Sequence, residues 1–127
     1  FQCGDKILIN VVAPRPHNSG HLTIEACKTS QFQQHIRSIF DLKLGNTAHD
    51  GHAIMLNLVG DNNYSGKVLY ENLDAVFEIK NANLHIYGKQ ETRPNRKMGH
   101  ITIICDNFEE GYNNAKLLKS KIKIKSK

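Results

Sequence analysis

Apolar residues are concentrated in a few short runs, and these runs predict the strands. Lys6 to Val12 and Ala53 to Val59 are apolar segments rich in β-branched or aliphatic residues, which is typical of buried strands. Leu84 to Tyr87 and His100 to Cys105 are shorter runs of the same kind. The chain therefore has at least four predicted strands.

Three other segments have the residue spacing of amphipathic helices. In Thr23 to Phe40, Ser30 and Gln33 have the spacing of a capping box, which predicts a short turn followed by a longer helix. Residues 67–79 predict a short helix, and residues 108–118 predict a closing helix. Because strands and helices do not alternate regularly, the pattern favours the α+β class.

The charge of the chain is concentrated at one end. The 127 residues include 17 Lys and Arg and 12 Asp and Glu, which gives a net charge of +5. The last twelve residues hold six lysines and no acid, so the remainder has 11 basic and 12 acidic residues and a net charge of −1. Residues 119–127 are therefore interpreted as a solvated basic tail. Nucleic-acid binding is the alternative, although no arginine or aromatic residue is interleaved with these lysines.

The cysteines and the hydropathy indicate the compartment. Cys3, Cys27 and Cys105 are widely spaced and form no C-x-x-C motif, which fits a reducing environment. No stretch approaches the roughly 20 apolar residues that span a bilayer, and no charged-then-apolar leader opens the chain. We expect a cytoplasmic protein with no membrane partner.

The loop between the first predicted strand and the first predicted helix carries several polar groups. Residues 13–20 read APRPHNSG, and two prolines fix the local backbone. Arg15 could bind a phosphate or carboxylate, and His17 could exchange a proton near neutral pH. Asn18 and Ser19 could orient a ligand. The alternative interpretation is a structural turn in which Asn18 and Ser19 cap the following helix.

A second loop, residues 88–99, is strongly basic. Its cations are Lys89, Arg93, Arg96 and Lys97, a density that suits a phosphate-bearing ligand. A solvated hairpin is the alternative. Taken together, the two loops indicate binding of a small phosphorylated, anionic metabolite.

Motifs for other chemistries are weak or absent. The chain has no glycine-rich phosphate loop and no acidic cluster on a predicted strand that would hold Mg²⁺, so most of any ATP site must be supplied elsewhere. His17 and His21 are four residues apart, but Pro16 and Gly20 oppose a regular helix between them. His49 and His52 have no cysteine nearby. We therefore predict no metal site.

Five ordered segments resemble one enzyme family. NVVAPRPHNSGH at 10–21 is followed by TIEAC and TSQFQQHIR, and later by MLNLVG at 55–60, LHIYGK at 84–89 and RKMGHITI at 96–103. Together they resemble the C-terminal portion of N5-carboxyaminoimidazole ribonucleotide synthetase, the ATPase subunit of phosphoribosylaminoimidazole carboxylase, in the ATP-grasp superfamily. The resemblance implies ATP-dependent carboxylation of 5-aminoimidazole ribonucleotide with bicarbonate, a ligase step of de novo purine synthesis.

The resemblance also implies roles for individual residues. By position in the motifs, Arg15 and His17 would be catalytic, and Asn18 and Ser19 would bind substrate. Another three residues would hold the ribonucleotide phosphate: Lys89, Arg96 and Lys97.

At the nucleotide site, the sequence departs from the family. Asn10 and Val11 match nucleotide-binding positions, but the family has a Mg²⁺-binding glutamate where this chain has Val11. The family uses Mg²⁺ with ATP as substrate, and valine cannot coordinate the ion.

The resemblance predicts a division of the chain. Residues 1–48 would end an ATP-grasp domain, residues 49–118 would form a small β-rich sandwich or barrel, and 119–127 would be the basic tail. The family implies a homodimer. We expect no ATP-dependent activity from the chain alone, and a non-catalytic domain that binds a ligand or partner is the alternative.

Overall fold

A computed structural model describes all residues from Phe1 to Lys127. It contains eight strands, three α-helices and two 3₁₀ helices, which confirms the α+β class. The strands are β1 Gln2–Cys3, β2 Lys6–Ile7, β3 His52–Val59, β4 Gly66–Glu71, β5 Ala82–Ile86, β6 Glu91–Thr92, β7 Lys97–Cys105 and β8 Lys123–Ser126. The α-helices are α1 Thr23–Ala26, α2 Gln31–Ile39 and α3 Phe108–Lys121, and the 3₁₀ helices are Asn18–Gly20 and Leu73–Glu78.

Two open antiparallel sheets form the body of the molecule. In one sheet β7 lies between β3 and β5, and in the other β4 lies between β6 and β8. One apolar cluster joins them, with Met98 and Ile101 of β7, Ile124 of β8 and Leu118 of α3 all at most 2% exposed. Strand β7 is central, and its residues 98–103 are all buried. The basic loop of residues 88–99 leads into β7, which begins at Lys97.

The helical region agrees with its sequence signals. The Ser30 side chain accepts from the backbone N–H of Gln33, and the Gln33 side chain accepts from the N–H of Ser30. This confirms the capping box. It also places α1 and α2 as two separate helices, because the cap begins a new helix at Gln31.

The segment 67–79 was predicted as one helix, and this prediction is wrong. Its first half is β4, which pairs with β6 and β8. Val68 and Tyr70 favour a strand, since branched and aromatic side chains fit a pleated surface. Asn72 then adopts a left-handed conformation with φ of 59° and ends the strand. Only Leu73–Glu78 is helical, and it is a 3₁₀ helix.

The buried strand predicted for residues 6–12 is also wrong. Only Lys6–Ile7 is a strand, paired with β1 in a small hairpin. Ile9 is 90% exposed and Val12 is 82% exposed. An apolar strand is buried only where neighbouring strands pair with it and another layer covers it, and no element of this chain does so.

The prediction of a solvated tail at residues 119–127 is wrong as well. Residues 119–121 belong to α3, and Lys123–Ser126 forms β8 against β4. Ile122 is 6% exposed and Ile124 is 2% exposed, so burial of these side chains holds the C-terminus in the core. Lys125 and Lys121 form ion pairs with Glu71 and Glu78. None of the helices is both long and apolar enough to cross a membrane.

Candidate functional site

The first loop is organised by the side chain of His17. His17 is the N-cap of the 3₁₀ helix Asn18–Gly20, and its Nδ1 accepts from the backbone N–H of Ser19 at 3.3 Å. The Ser19 hydroxyl lies 2.9 Å from the same Nδ1. A neutral imidazole whose Nδ1 accepts carries its proton on Nε2. The loop therefore holds His17 in the tautomer that can donate from Nε2.

Gln31 fixes the backbone of this loop from the start of α2. Its Oε1 accepts from the N–H of His17 at 2.9 Å, and its Nε2 donates to the carbonyl of His17 at 2.8 Å. The same Nε2 lies 2.8 Å from Nδ1 of His21. A side chain at Gly20 would fill this space, because an added Cβ would lie 2.5 Å from Oε1 of Gln31. Sequence reasoning missed Gln31, although it lies in the quoted TSQ segment.

Asn18 connects the two loops. Its Nδ2 donates to Oδ1 of Asn57 in β3 at 2.9 Å, and its Oδ1 accepts from Nζ of Lys97 at 2.8 Å. Asn18 and Lys97 are 79 residues apart in the chain. The fold thus brings the HNSG segment against the start of β7.

The second loop gathers positive charge at the same place. Burial lowers the pKa of Lys89, and the charges of Arg96, Arg93 and Lys97 lower it further. Lys89 Nζ donates to the carbonyl of Lys97 and lies 5.6 Å from the centre of the Tyr87 ring. None of the four ion pairs of the structure includes these cations. Such uncompensated positive charge favours an anionic ligand.

The remaining residues singled out from the sequence are less constrained. Arg15 is exposed, and its Nη1 donates only to the neighbouring carbonyl of Pro16, at 3.1 Å. Arg96 is half-buried, with Nη1 donating to the carbonyl of Glu91 at 2.9 Å. Asn10 and Val11 lie in the exposed segment after β2. Of the predicted residues, the structure therefore joins Asn18 with Lys97, and Lys97 with Lys89.

A cluster of titratable residues behind Asn18 was missed. Glu25 of α1 lies 2.6 Å from Nε2 of His85 in β5. His85 stacks on His100 of β7, with ring centres 4.4 Å apart and planes 12° apart. His100 Nδ1 in turn lies 2.8 Å from the Tyr87 hydroxyl. The signal was a histidine within each apolar strand run, LHIY and HITIIC.

His100 is neutral in this environment. It is 1% exposed, and burial lowers its pKa to about 4, with the nearby His85 and His21 adding to the effect and Glu25 opposing it. Burial also lowers the pKa of His21, and Lys97 contributes to that shift.

The residues of this cluster are also of types that bind metal ions. Ligand atoms of Glu25, His85 and His100 lie within 4.8 Å of one another. The two rings are nearly parallel, however, whereas tetrahedral ligation needs lone pairs that converge on one point. Nε2 of His85 is also already bound to Glu25. The geometry favours a hydrogen-bonded cluster over a bound metal.

The chain is similar to proteins of one family. A family model described as the phosphoribosylaminoimidazole carboxylase C-terminal domain matches residues 53–113, and an ATP-grasp domain model matches residues 1–32. Phosphoribosylaminoimidazole carboxylase of Schizosaccharomyces pombe is 47% identical over 117 residues, which cover 87% of this chain and 20% of that protein.

Solved structures agree with this result. N5-carboxyaminoimidazole ribonucleotide synthetase from Thermotoga maritima is 49% identical with a TM-score of 0.92, and the match covers 96% of this chain and 34% of that one. N5-carboxyaminoimidazole synthase from Aspergillus clavatus, solved with ADP and 5-aminoimidazole ribonucleotide, is 36% identical with a TM-score of 0.69, covering 84% and 28%.

The match of residues 1–32 to the ATP-grasp domain model places the chain in the ATP-grasp class. Within that class, the chain belongs to the N5-carboxyaminoimidazole ribonucleotide synthetase family and corresponds to its C-terminal portion. This confirms the resemblance seen in the five motifs. The chain spans about a fifth to a third of the length of these relatives.

Proposed function

We propose that the chain forms the substrate-loop region of an enzyme that carboxylates 5-aminoimidazole ribonucleotide with ATP and bicarbonate, giving N5-carboxyaminoimidazole ribonucleotide. The observation that carries this proposal is the contact between Asn18 and Lys97. This contact brings the loop of residues 13–20, which suits the reacting group, against the loop of residues 88–99, which suits a phosphate. The A. clavatus relative was solved with that ribonucleotide and ADP.

The ribonucleotide phosphate would bind at the cationic loop. Lys89, Arg96 and Lys97 supply positive charge that no acidic side chain neutralises. Cations held in place before the ligand arrives stabilise a dianionic phosphate more than mobile ones would.

His17 and Arg15 would act on the carboxylating group. In the reaction that the family implies, bicarbonate and ATP give carboxyphosphate and ADP. The exocyclic amine then attacks the carboxyl carbon, or the CO₂ that carboxyphosphate gives on losing phosphate, to form a carbamate with release of phosphate and a proton. Because Nδ1 of His17 accepts from Ser19, Nε2 donates to an oxygen on which negative charge develops. The Arg15 guanidinium, which is exposed, adds a second donor there.

The residues around position 11 do not fit Mg²⁺. Residues 6–24 contain no Asp or Glu, and Val11, which is 68% exposed, has no oxygen in its side chain. Mg²⁺ takes carboxylate and phosphate oxygens. We propose that this part of the chain supplies no carboxylate ligand to the ion that accompanies ATP.

A non-catalytic ligand-binding domain is the second candidate, and the valine at position 11 is the observation that favours it. Both candidates predict ribonucleotide binding, whereas only the first predicts carboxylation within the complete enzyme. By resemblance, we also propose a cytoplasmic homodimer for that enzyme.

Isothermal titration with 5-aminoimidazole ribonucleotide tests the proposal. We expect saturable binding to the chain, weakened about tenfold or more by Arg15→Ala and by Lys97→Ala, a loss of about 1.4 kcal/mol each. Lys116→Ala removes the same charge from α3 and should change the affinity less than twofold. Equal weakening by all three variants would show nonspecific charge attraction, and no binding by the parent chain would refute the proposal.

A further inference from the structure

We propose that Gln31 is a positioning residue, whose side-chain amide fixes the direction in which the imidazole of His17 points. The contacts that support this inference lie within the chain. Its meaning for the reaction rests on the proposed function, in which Nε2 of His17 donates to the carboxylating group.

The Gln31 amide binds both polar groups of the His17 backbone. Its Oε1 accepts from the N–H of His17 at 2.9 Å, and its Nε2 donates to the carbonyl of His17 at 2.8 Å. The N–H lies in the peptide plane before the His17 Cα, and the carbonyl lies in the plane after it. Because one planar group holds both peptide planes, it also fixes the direction of the bond from Cα to Cβ.

The imidazole itself is held by contacts within the loop. The backbone N–H of Ser19 donates to Nδ1 of His17 at 3.3 Å, and the Ser19 hydroxyl lies 2.9 Å from the same atom. The His17 carbonyl also accepts from the N–H of Gly20 at 2.9 Å. These bonds orient the ring relative to the loop, whereas the Gln31 amide ties the residue to α2. Together the two sets of bonds place the ring relative to the rest of the fold.

The amide of Gln31 has one favourable orientation at this place. Its Nε2 lies 2.8 Å from Nδ1 of His21, which gives that nitrogen a second acceptor. A flipped amide would direct its NH₂ group at the N–H of His17 and its oxygen at the carbonyl, so both contacts would become repulsive. The backbone of Gln31 is also fixed, because its N–H donates to Oγ1 of Thr23 at 2.9 Å. The amide is therefore rigid enough to position another residue.

Gly20 leaves the space that the Gln31 amide occupies. An added Cβ would lie 2.5 Å from Oε1 and 2.7 Å from Cδ of Gln31, well inside van der Waals contact. The backbone of Gly20 does not have a positive φ, so alanine fits its conformation. Close approach by Gln31 is therefore what makes glycine necessary at this position. Gly20→Ala should displace the amide while leaving residue 31 unchanged.

Helix α2 carries a second glutamine with the same bonding pattern, and this residue provides a control. Oε1 of Gln34 accepts from the N–H of Gly45 at 2.9 Å, and its Nε2 donates to the carbonyl of Gly45 at 2.8 Å. Both glutamines are half-buried. Gln34→Ala thus removes two equivalent backbone bonds from the same helix without touching His17, which separates positioning from general stability.

Hydrogen exchange of the Ser19 backbone amide, followed by NMR, tests the inference without a ligand. This N–H donates to His17 and not to Gln31, so it reports on the ring. We expect Gln31→Ala, Gly20→Ala and His17→Ala each to speed its exchange about tenfold, because each removes or loosens its acceptor. The double variant of Gln31 and His17 should be no faster than His17→Ala alone.

The control variant should act at a different amide. We expect Gln34→Ala to speed exchange at Gly45 by a similar factor and to leave exchange at Ser19 within twofold of the parent. Equal acceleration at Ser19 by Gln31→Ala and Gln34→Ala would show a general loss of stability and overturn the inference. Unchanged exchange at Ser19 in folded Gln31→Ala would also overturn it, and Gly20→Ala decides the question if Gln31→Ala fails to fold.

Titration with 5-aminoimidazole ribonucleotide gives the functional readout. We expect Gln31→Ala to weaken the affinity about five- to tenfold in the parent chain but less than twofold in a His17→Ala background, since its effect passes through His17. Gln34→Ala should change the affinity less than twofold. An equal loss in both backgrounds would mean that Gln31 has only a structural role. Faster exchange at Ser19 with no ribonucleotide binding by the parent chain would instead uphold the positioning role and refute the proposed function.

Discussion

His100 illustrates what a single buried side chain contributes to this fold. It lies in the central strand, is 1% exposed, and is surrounded by His85, His21 and Glu25. Sequence patterning could place His100 in a strand, because it begins the largely apolar run HITIIC. The pattern could not show that His100 lies opposite His85 and within reach of the Tyr87 hydroxyl, since both contacts depend on the register of β5 with β7.

Acidification should destabilise the chain through His100. Its pKa is lowered to about 4 in the folded state, whereas an unfolded histidine has its ordinary value near 6.5. Between those two values the unfolded chain binds the proton and the folded chain does not. Stability is therefore complete above pH 6.5 and decreases as the pH falls, by about 3 kcal/mol at pH 4.

Urea unfolding of the parent chain and of His100→Asn at pH 7, 5.5 and 4.5 measures this effect. The variant cannot titrate at position 100, so its unfolding free energy should depend less on pH than that of the parent. His35→Asn, at an exposed position of α2, should retain the parent's pH dependence. Parallel curves for the parent and His100→Asn would contradict the prediction.

At the level of single residues, the sequence was informative where a short segment holds several polar or charged side chains. Asn18 and Lys97 were identified from a turn motif and from charge density, and the structure joins them. Gln31 and Tyr87 were missed because their partners are distant in the chain or in another element. No local pattern specifies such a contact.

The lysines around strand β8 made the strand difficult to predict from the sequence. The segment KIKIK alternates strictly, which is the period of a half-buried strand, yet its lysines led to the interpretation of a solvated tail. In the structure the two isoleucines face the core while the lysines lie at the surface. The alternation was the better signal, because burial of Ile122 and Ile124 outweighs the solvation of their neighbours.

Truncation of Ile124 should therefore be strongly destabilising. Ile124 is 2% exposed and pairs with Tyr70 across β4 and β8. Ile124→Ala should lower the unfolding free energy by about 3 kcal/mol, the usual cost of deleting a buried isoleucine side chain. Thermal and urea unfolding measure the change.

Lys127→Ala is the control for this measurement, because its exposed side chain lies beyond β8. Its effect should stay within about 0.5 kcal/mol. An equally small effect of Ile124→Ala would mean that the C-terminus is solvated, as its charge alone suggests.

On the scale of the whole molecule, burial is uneven. The sheets enclose an apolar cluster, while Leu8, Ile9, Val12, Ile39 and Phe40 are each more than half exposed. The ATP-grasp match covers only residues 1–32, and that part of the chain includes the exposed apolar segment. Strand formation at 6–12 was predicted from residue type alone, but a strand also needs neighbours, and sequence cannot show whether the same chain provides them.

The chain carries the loops proposed to bind the ribonucleotide but little of an ATP site, and this difference predicts its activity. The loop of residues 13–20 contacts the basic loop of residues 88–99 through Asn18 and Lys97, so the ribonucleotide should bind. The chain spans 34% of the T. maritima relative, has no glycine-rich phosphate loop, and offers no carboxylate around Val11. We therefore expect binding without turnover, with phosphate release from ATP, bicarbonate and 5-aminoimidazole ribonucleotide no faster than in a protein-free blank.

A phosphate-release assay run beside the titration separates the two properties. Lys97→Ala, purified in the same way, gives the background from contaminating ATPases, and Val11→Glu tests whether restoring one carboxylate is sufficient. We expect neither the parent nor Val11→Glu to turn over, because a single ligand cannot replace the rest of a nucleotide site. Phosphate release that requires all three substrates and is lost in Lys97→Ala would show that this chain already contains a working ATP site.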